Sequence, residues 1–164
     1  MVAADGSGRT AADGDRFGWV DALRTLDHAC AVVGLAAEKT RPMRLGENAI
    51  ICLDSPPVVA RIARTVDYLP DVTKEVAVAR WFASIDFPAV RLLPAIDQPL
   101  VIDGRVVTFW RQVGTGAEHG NLTDLAAILR RLHHLATPPD LELPAFRPFR
   151  RTRRRLANAQ VRAA

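Results

Sequence analysis

Residues 56–83 constrain the fold of this chain most, because they join a short apolar strand to an amphipathic helix. The first part, Val-Val-Ala-Arg-Ile-Ala after two prolines, is typical of a buried strand, and this strand carries Arg61. The dipeptide Leu69-Pro70 indicates a break, after which the pattern predicts a helix over about 71–84. The chain must therefore bury a strand together with one face of the helix that follows it.

Glu75 lies on the apolar face of this predicted helix. At 100° per residue the same face carries five apolar side chains: Val72, Val76, Ala79, Phe82 and Ala83. An isolated buried charge is costly, so a carboxylate on this face needs a partner, and the neighbouring strand offers Arg61. A structural ion pair, a Glu75 that extends to solvent and a functional pair all remain open from these two elements alone.

Length and composition favour one domain of ordinary globular type. The 164 residues are 49% hydrophobic and 24% charged, and no apolar run is long enough to span a bilayer. Residues 1–16 lack the apolar core of a secretory signal, and we expect them to be disordered. Two cysteines are too few for a disulfide framework, so a reduced, cytoplasmic protein without a membrane partner is expected.

The C-terminal segment carries the basic charge of the chain. Seven arginines and no acidic residue follow position 146, so the rest of the chain is net acidic although the total charge is +4. Such a run is typical of segments that bind nucleic acid or an anionic surface. No aromatic residue follows Phe149, so no stacking platform for bases is visible. We expect a solvated helix face here and do not expect nucleic acid as the main partner.

The N-terminal half predicts a helix and a hairpin. Apolar residues at helical spacing, Val20 among them, predict a helix over about 19–35 that Gly34 ends. Cys30 on its apolar stripe is expected to be a small buried hydrophobe, and His28 a solvated or core histidine without a partner nearby in sequence. Residues 43–53 predict a hairpin with its turn at Gly46-Glu47-Asn48, because Gly and Asn tolerate positive φ.

The C-terminal half predicts further strands and a helix. Residues 87–93 indicate a strand, and Asp103-Gly104 between two β-branched runs predicts a second hairpin. Residues 111–120 indicate a linker. A leucine-rich stripe predicts a helix over 122–136, capped by Asn121 or Thr123, and residues 150–164 suggest one more helix. The total is about five strands, with one helix inserted after the third.

The order of these elements resembles the small lobe of a kinase, and their residues resemble the aminoglycoside phosphotransferase family of bacterial small-molecule kinases. The resemblance covers about residues 19–156 and lies in residues 44–49, 58–61, 74–81, 98–99, 107–110 and 129–133. It implies an α+β fold: a protein-kinase-like small lobe with about five antiparallel strands, an inserted helix, an N-terminal helix and a C-terminal helical extension. Residues 17–113 would form this lobe, and residues 114–164 a hinge linker, a helix and a basic lead-in to a large lobe.

The resemblance also implies a nucleotide site, for ATP or GTP. Arg61 takes the place of the phosphate-binding lysine and Glu75 that of its helix partner. A guanidinium binds phosphate bidentately, but it is not the point charge that a lysine provides.

Two further segments complete the implied site. The first would lie over the nucleotide phosphates and consists of Gly46, Glu47 and Asn48. The second is a hinge over residues 108–113, whose backbone would meet the adenine edge, with three implied contacts: Phe109, Trp110 and Gln112.

The sequence departs from the family in its catalytic groups. The family carries His-Gly-Asp followed by Asn, and a metal-binding Asp further on. This chain has His119-Gly120-Asn121, with Asn in place of the base, and an Asp86-Phe87-Pro88 that precedes the hinge strands. Phosphoryl transfer needs a base and Mg²⁺ ligands, so we expect a lobe that is inactive alone, with Mg²⁺ bound only alongside a large lobe after residue 164. A truncated product, part of a split protein and a fragment all remain open.

Three functions follow from these observations, and whether the chain is an enzyme stays open. The first is the nucleotide-binding lobe of an aminoglycoside-phosphotransferase-like kinase, and the second is a non-catalytic partner-binding module built on the same lobe. The third is binding of nucleic acid or a membrane surface through the arginine-rich end. The spacing of Arg61 and Glu75 favours the first two. Their partners would be a nucleotide, and a separate large lobe or a second copy of the chain.

Overall fold

The computed structural model describes residues 17–54, 57–114 and 120–143, together with Phe149, Thr152 and Leu156. The chain divides into two compact units, residues 1–134 and 135–164. The expected disorder of residues 1–16, His119 and the arginines of the basic tail lie outside the described residues. In the second unit, residues 135–143 form neither helix nor strand, and the N–H of Leu141 donates to the carbonyl of Pro138 at 3.1 Å.

The first unit is built on one antiparallel sheet of five strands. These are β1 (Thr40–Leu45), β2 (Asn48–Leu53), β3 (Val58–Ala63), β4 (Leu100–Ile102) and β5 (Arg105–Arg111). Their order across the sheet is β1-β2-β3-β5-β4, and every neighbouring pair is antiparallel. The predicted α+β class and five-stranded antiparallel sheet are confirmed.

Three α-helices accompany the sheet in the described part of the first unit: α1 (Trp19–Val33), α2 (Leu69–Ser84) and α3 (Leu122–His133), and a short 3₁₀ helix, Val66–Tyr68, precedes α2. Gly34 ends α1 with a φ of 72°, as predicted. Asn121 caps α3, its side chain accepting from the N–H of Asp124 at 2.9 Å, and the helix ends three residues before the predicted 136. Among the described residues no helix has both the length and the apolar character needed to cross a membrane.

The start of α2 corrects the prediction that Leu69-Pro70 breaks the chain. The helix begins at Leu69, two residues before the predicted start, and Pro70 lies inside its first turn. Proline is tolerated there because the first N–H groups of a helix have no partner within it, and its fixed φ suits the helix.

The strand predicted over residues 87–93 is absent, apart from one bridge between Leu92 and Trp110. Pro88 cannot donate a hydrogen bond to a neighbouring strand. The Arg91 guanidinium donates to the carbonyl oxygens of Phe87 at 2.7 Å and Ala89 at 3.3 Å. These contacts fold residues 87–89 locally. Further along, the segment meets β5 through two backbone hydrogen bonds, from the N–H of Arg111 to the carbonyl of Arg91 at 2.8 Å and from the N–H of Leu93 to the carbonyl of Phe109 at 2.9 Å.

The core lies between the sheet and α1. Side chains that alternate along three strands are fully buried there: Ala49, Ile51, Leu53, Val58, Ala60, Ile62, Val107 and Phe109. We call this side of the sheet the α1 face. From the helix, Leu26 and Cys30 complete it, and burial together with nearby Asp27 raises the pKa of the Cys30 thiol to about 11, in line with a buried hydrophobe. Val20, expected on the apolar stripe, is exposed instead.

The two hairpin turns differ in what they require. Asp103 and Gly104 join β4 to β5 with φ angles of 50° and 69°, as a two-residue turn of this kind demands. At the β1–β2 turn, by contrast, Gly46 has no positive φ, and an added Cβ would meet nothing within 4 Å. Asn48 is also absent from the positive-φ residues, since it already belongs to β2. The hairpin is confirmed, but the reason predicted for its Gly and Asn is wrong.

Polar contacts tie α1 to the β4–β5 turn. The Nδ1 of His28 lies 2.9 Å from a carboxylate oxygen of Asp103, and the Arg105 guanidinium lies 3.4 Å from the hydroxyl of Thr25. Sequence inspection found no partner for His28 because Asp103 lies 75 residues further along the chain.

Candidate functional site

A cavity of about 270 Å³ lies on the sheet face opposite α1. It is lined by Ile50, Val59, Arg61, Glu75, Val90, Trp110, Arg111 and Val113. We call this side of the sheet the cavity face. Apolar side chains make up most of the lining, with a few charged groups among them, which is the usual composition of a small-molecule pocket.

Strand register explains why these side chains meet. Successive side chains of a strand point to opposite faces, so residues two apart share a face. Ile50 of β2 lies directly opposite Arg61 of β3, and Val59 of β3 lies directly opposite Trp110 of β5. The same alternation that buries one set of side chains under α1 therefore presents the other set to the cavity.

The predicted charge pair is present in this cavity. The Nη1 of Arg61 donates to the Oε1 of Glu75 at 2.5 Å, which joins β3 to α2. The two side chains are 27% and 41% exposed, so the pair is partly open to solvent and to a ligand. Helical spacing places Glu75 on the side of α2 whose Val72 and Val76 are buried, as the sequence predicted.

Asn48 reaches the same guanidinium from β2. The side-chain amide of Asn48 can be placed in two orientations. Only the one that turns its oxygen toward Arg61 pairs an acceptor with donors, because the other points the amide N–H groups at the N–H groups of Arg61. In that orientation the oxygen accepts from Nε and from Nη2 of Arg61, each at 3.2 Å. Arg61 is thus held from two sides, by a carboxylate on a helix and by an amide on a neighbouring strand.

The β1–β2 turn, which was expected to cover the phosphates, is hydrogen-bonded to Arg64, the residue directly after β3. The Arg64 guanidinium donates to the carbonyl oxygen of Gly46 at 3.3 Å, and the N–H of Arg64 donates to that of Glu47 at 3.3 Å. Neither Gly46 nor Glu47 belongs to the lining of the cavity. The structure brings the turn to the strand that carries Arg61, but outside the cavity itself.

The predicted hinge residues separate in space. Trp110 lines the cavity, and its indole N–H donates to the hydroxyl of Thr108 at 2.9 Å. Phe109 is fully buried on the α1 face. Its N–H donates to the side-chain oxygen of Gln98 at 2.8 Å, and its carbonyl accepts from Leu93 at 2.9 Å.

Gln112 is likewise engaged within the fold, since its backbone N–H donates to the carbonyl of Pro57 at 3.2 Å. Of the three implied contacts, Trp110 alone lines the cavity.

Three lining residues escaped the sequence analysis: Ile50, Val59 and Val90. Two more, Arg111 and Val113, fall within the predicted hinge over residues 108–113 but were not among its named contacts. For two of the first three a signal existed, because Val59 lies two residues from Arg61 on one strand, and Ile50 lies on the neighbouring predicted strand. Val90 and Val113 lie outside the helices and strands, where no periodicity indicates the direction of a side chain.

The two segments that mimic catalytic motifs have structural roles. Asn121 caps α3, and Asp86 forms an ion pair with Arg91 at 3.0 Å in an exposed turn. In the part of the chain that the structure describes, no group of three or more His, Cys, Asp or Glu side chains is placed to hold a metal ion.

A comparison with protein-family models finds one described as the phosphotransferase enzyme family, which matches residues 48–164. The match begins at Asn48 and includes Arg61, Glu75 and the rest of the cavity lining. No curated protein and no solved structure matches the chain significantly.

Proposed function

Because this chain belongs to the phosphotransferase enzyme family, we propose that the cavity binds a nucleoside triphosphate, ATP or GTP, as a kinase-like lobe does. One observation carries the proposal: the Arg61–Glu75 pair, at 2.5 Å, lines a largely apolar cavity of about 270 Å³. A nucleotide combines an apolar ring with an anionic tail, and the lining offers a surface for each.

The base would lie on the apolar part of the lining. Ile50 and Val59 project from adjacent strands, and Trp110 lies beside Val59. Val90 and Val113 border the cavity from outside the sheet. A flat ring against these side chains would remove apolar surface from water, which is the main favourable contribution to binding in pockets of this kind.

The phosphates would meet Arg61. A guanidinium presents planar donors that match phosphate oxygens bidentately. Glu75 keeps the cation in place without occupying all of its donors, since their hydrogen bond uses Nη1 alone. Arg111 also borders the cavity, but strand alternation places its side chain with Val58 on the α1 face, so Arg61 is the cation assigned to the phosphates.

The proposal assigns nucleotide binding, and not transfer, to the described residues. Transfer also requires a positioned base and ligands for Mg²⁺. Asn121, in the triplet that mimics the family's His-Gly-Asp, caps a helix instead. We expect this chain to bind nucleotide without phosphorylating an alcohol; ATP-dependent turnover that Arg61→Ala removes would contradict this.

Calorimetric titration of the full chain with ATP, with and without Mg²⁺, tests the binding. Arg61→Ala should weaken ATP binding about tenfold or more, because hydrogen bonds to a charged group contribute about 1.5–3 kcal/mol. The matched control is Arg41→Ala, which removes an exposed cation from the edge strand β1 and should leave the affinity unchanged. A wild-type chain that binds no ATP at millimolar concentration, or equal losses in both variants, would contradict the proposal.

A second candidate, partner binding, is favoured by α3. Three leucines at helical spacing, Leu122, Leu125 and Leu129, are 83%, 51% and 43% exposed. Contiguous apolar surface of this kind marks interaction sites, and we propose self-association through this leucine stripe. Light scattering at rising concentration should show a dimer that Leu125→Glu abolishes, while Ala127→Glu, on the opposite side of the helix, preserves it. A wild-type monomer at all concentrations would exclude this function.

A further inference from the structure

Arg61 has a partner on β2 that no sequence pattern indicated. The amide oxygen of Asn48 accepts from both Nε and Nη2 of Arg61 at 3.2 Å, while Glu75 accepts from Nη1. Asn48 was expected to lie over the phosphates, yet its oxygen is directed at the guanidinium and the residue is not part of the cavity lining.

Strand register produces this contact. Asn48 lies opposite Ala63, so Arg61, two residues away on the same strand, is its diagonal neighbour on the same sheet face. Diagonal neighbours are roughly 7–8 Å apart, a distance that a long side chain spans. A short amide and a long guanidinium therefore meet without distorting either strand.

We propose that Asn48 is a positioning residue, which orients the Arg61 guanidinium for the phosphates of the nucleotide and makes the site depend on arginine at position 61. This inference rests on the proposed nucleotide binding. Asn48 acts through Arg61 and does not touch the ligand.

Donor counting supports this role. A guanidinium has five N–H groups in a rigid plane. Among the described residues, the contacts to Asn48 and Glu75 involve all three of its nitrogens, through three of those groups. Two N–H groups remain for a ligand, and the plane in which they point is set by partners on opposite sides. A guanidinium held in this way loses less freedom when a phosphate binds.

Lysine at position 61 would not use this arrangement. Its donors sit on one nitrogen, so it has no counterpart of the Nε and Nη2 pair that Asn48 holds. A lysine could reach Glu75, but a single bond from its rotatable ammonium to Asn48 would not fix the direction of its other donors. The contribution of Asn48 to binding should therefore exist only when residue 61 is arginine.

A double-mutant cycle with ATP as the probe tests this dependence. Asn48→Ala should weaken ATP binding about tenfold when Arg61 is present. In the Arg61→Lys background the same substitution should change the affinity by less than about twofold, since the two residues no longer interact. Equal losses in both backgrounds would mean that Asn48 contacts the nucleotide directly, and the proposal would be wrong.

A second measurement needs no nucleotide. In NMR spectra of ¹⁵N-labelled full chain, the Nε–H signal of Arg61, assigned by its absence in Arg61→Lys, should be protected from exchange in the wild type. Asn48→Ala should remove this protection, and Asn48→Asp, which keeps an acceptor oxygen in place, should restore it. Thermal melts of each variant confirm that it is folded.

The two measurements separate the possible failures. If the wild type binds no ATP, the proposed function fails, and the NMR comparison still decides whether Asn48 orients Arg61. If ATP binds but Asn48→Ala leaves the Nε–H signal unchanged, the positioning role is excluded while nucleotide binding stands.

Discussion

The two faces of the sheet are made from alternate residues of the same strands, yet they are packed differently. On the α1 face, Ile51, Ala60 and Phe109 are fully buried. On the cavity face, their neighbours Ile50 and Val59 are only partly covered and border open space. Both sets are largely apolar, although the cavity face also carries Asn48 and Arg61, so the difference comes mainly from what covers each face.

Helix placement explains the contrast. α1 packs on β3, β4 and β5, and its side chains bury the residues of that face. α2 packs against one end of the other face, through Val72 and Val76 with Ala63 and Val106. The part it leaves uncovered contains Arg61. One face thus stabilises the fold, and the other is available for binding; the following predictions test that division.

The largest effect is expected from Phe109→Ala on the α1 face. Removing a fully buried phenyl ring leaves a cavity, so the free energy of unfolding should fall by about 3–5 kcal/mol. Urea denaturation measures it. The control is Val59→Ala on the cavity face, where half-burial limits the loss to about 1 kcal/mol. Similar losses at the two positions would mean that the faces are packed alike.

The next largest loss of stability is expected at Gln98, whose side chain is hydrogen-bonded to the backbone of Phe109 in β5. Its side-chain amide accepts from the N–H of Phe109 at 2.8 Å and donates to the carbonyl of the same residue at 3.2 Å. Gln98→Ala leaves that buried N–H without its partner, so stability should fall by about 1–3 kcal/mol in urea denaturation. Gln112→Ala, a partly exposed amide nearby, should cost less than about 0.5 kcal/mol. The reverse order would contradict this role of Gln98.

On the cavity face, a substitution should lower ATP affinity more than it lowers the stability of the fold. Glu75 is 41% exposed, so solvent screens its ion pair, and Glu75→Ala should change the free energy of unfolding by less than about 1 kcal/mol. ATP affinity should nevertheless fall about fivefold, because Arg61 loses a partner that keeps it in place. Calorimetry and urea denaturation of one preparation compare the two. A large loss of stability with unchanged affinity would make the pair structural.

Features set by short-range pattern were predictable. The pairing of Arg61 with Glu75 followed from a strand period and a helix period within 15 residues of sequence. The turn at Asp103-Gly104 followed from its two residues alone. In both cases the local backbone conformation determines the direction of the side chain, and no distant part of the chain is involved.

Features set by register or by packing between elements were not predictable. The contact of Asn48 with Arg61 depends on the alignment of β2 and β3, which apolar pattern alone does not define. Residues 87–93 have the composition of a strand, but the contacts of Arg91 with the carbonyl groups of Phe87 and Ala89 fold the start of the segment locally, and its pairing with β5 is reduced to the bridge at Leu92. Phe109 and Trp110 are adjacent in sequence, and only the position of α1 decides which of them lines the cavity.

The smallest expected effect lies at the rim of the α1 face, where His28 meets Asp103. The hydrogen bond from His28 holds the pKa of the Asp103 carboxyl below its ordinary value of 3.8, helped by the charge of His28, the hydroxyl of Thr25 and the charge of Arg24, although desolvation opposes them. The folded carboxyl therefore binds its proton less tightly than the unfolded one. Its contribution to stability is complete above the unfolded pKa and disappears as the pH falls through the lower, folded pKa.

Asp103→Asn tests whether the ionised carboxyl stabilises the fold. Asparagine tolerates the φ of 50° that the turn requires, so the substitution removes the charge without straining the turn. The wild type should melt slightly above the variant at neutral pH. The gap should begin to shrink as the pH falls below about 4 and should close only below the lowered pKa of the folded Asp103, where both side chains are uncharged. Asp97→Asn, a fully exposed carboxylate 3.7 Å from Arg80, is the control and should show no such gap. A gap that widens in acid would mean that the contact with His28 does not favour the ionised carboxyl, and that this pair does not help to hold α1 on the sheet.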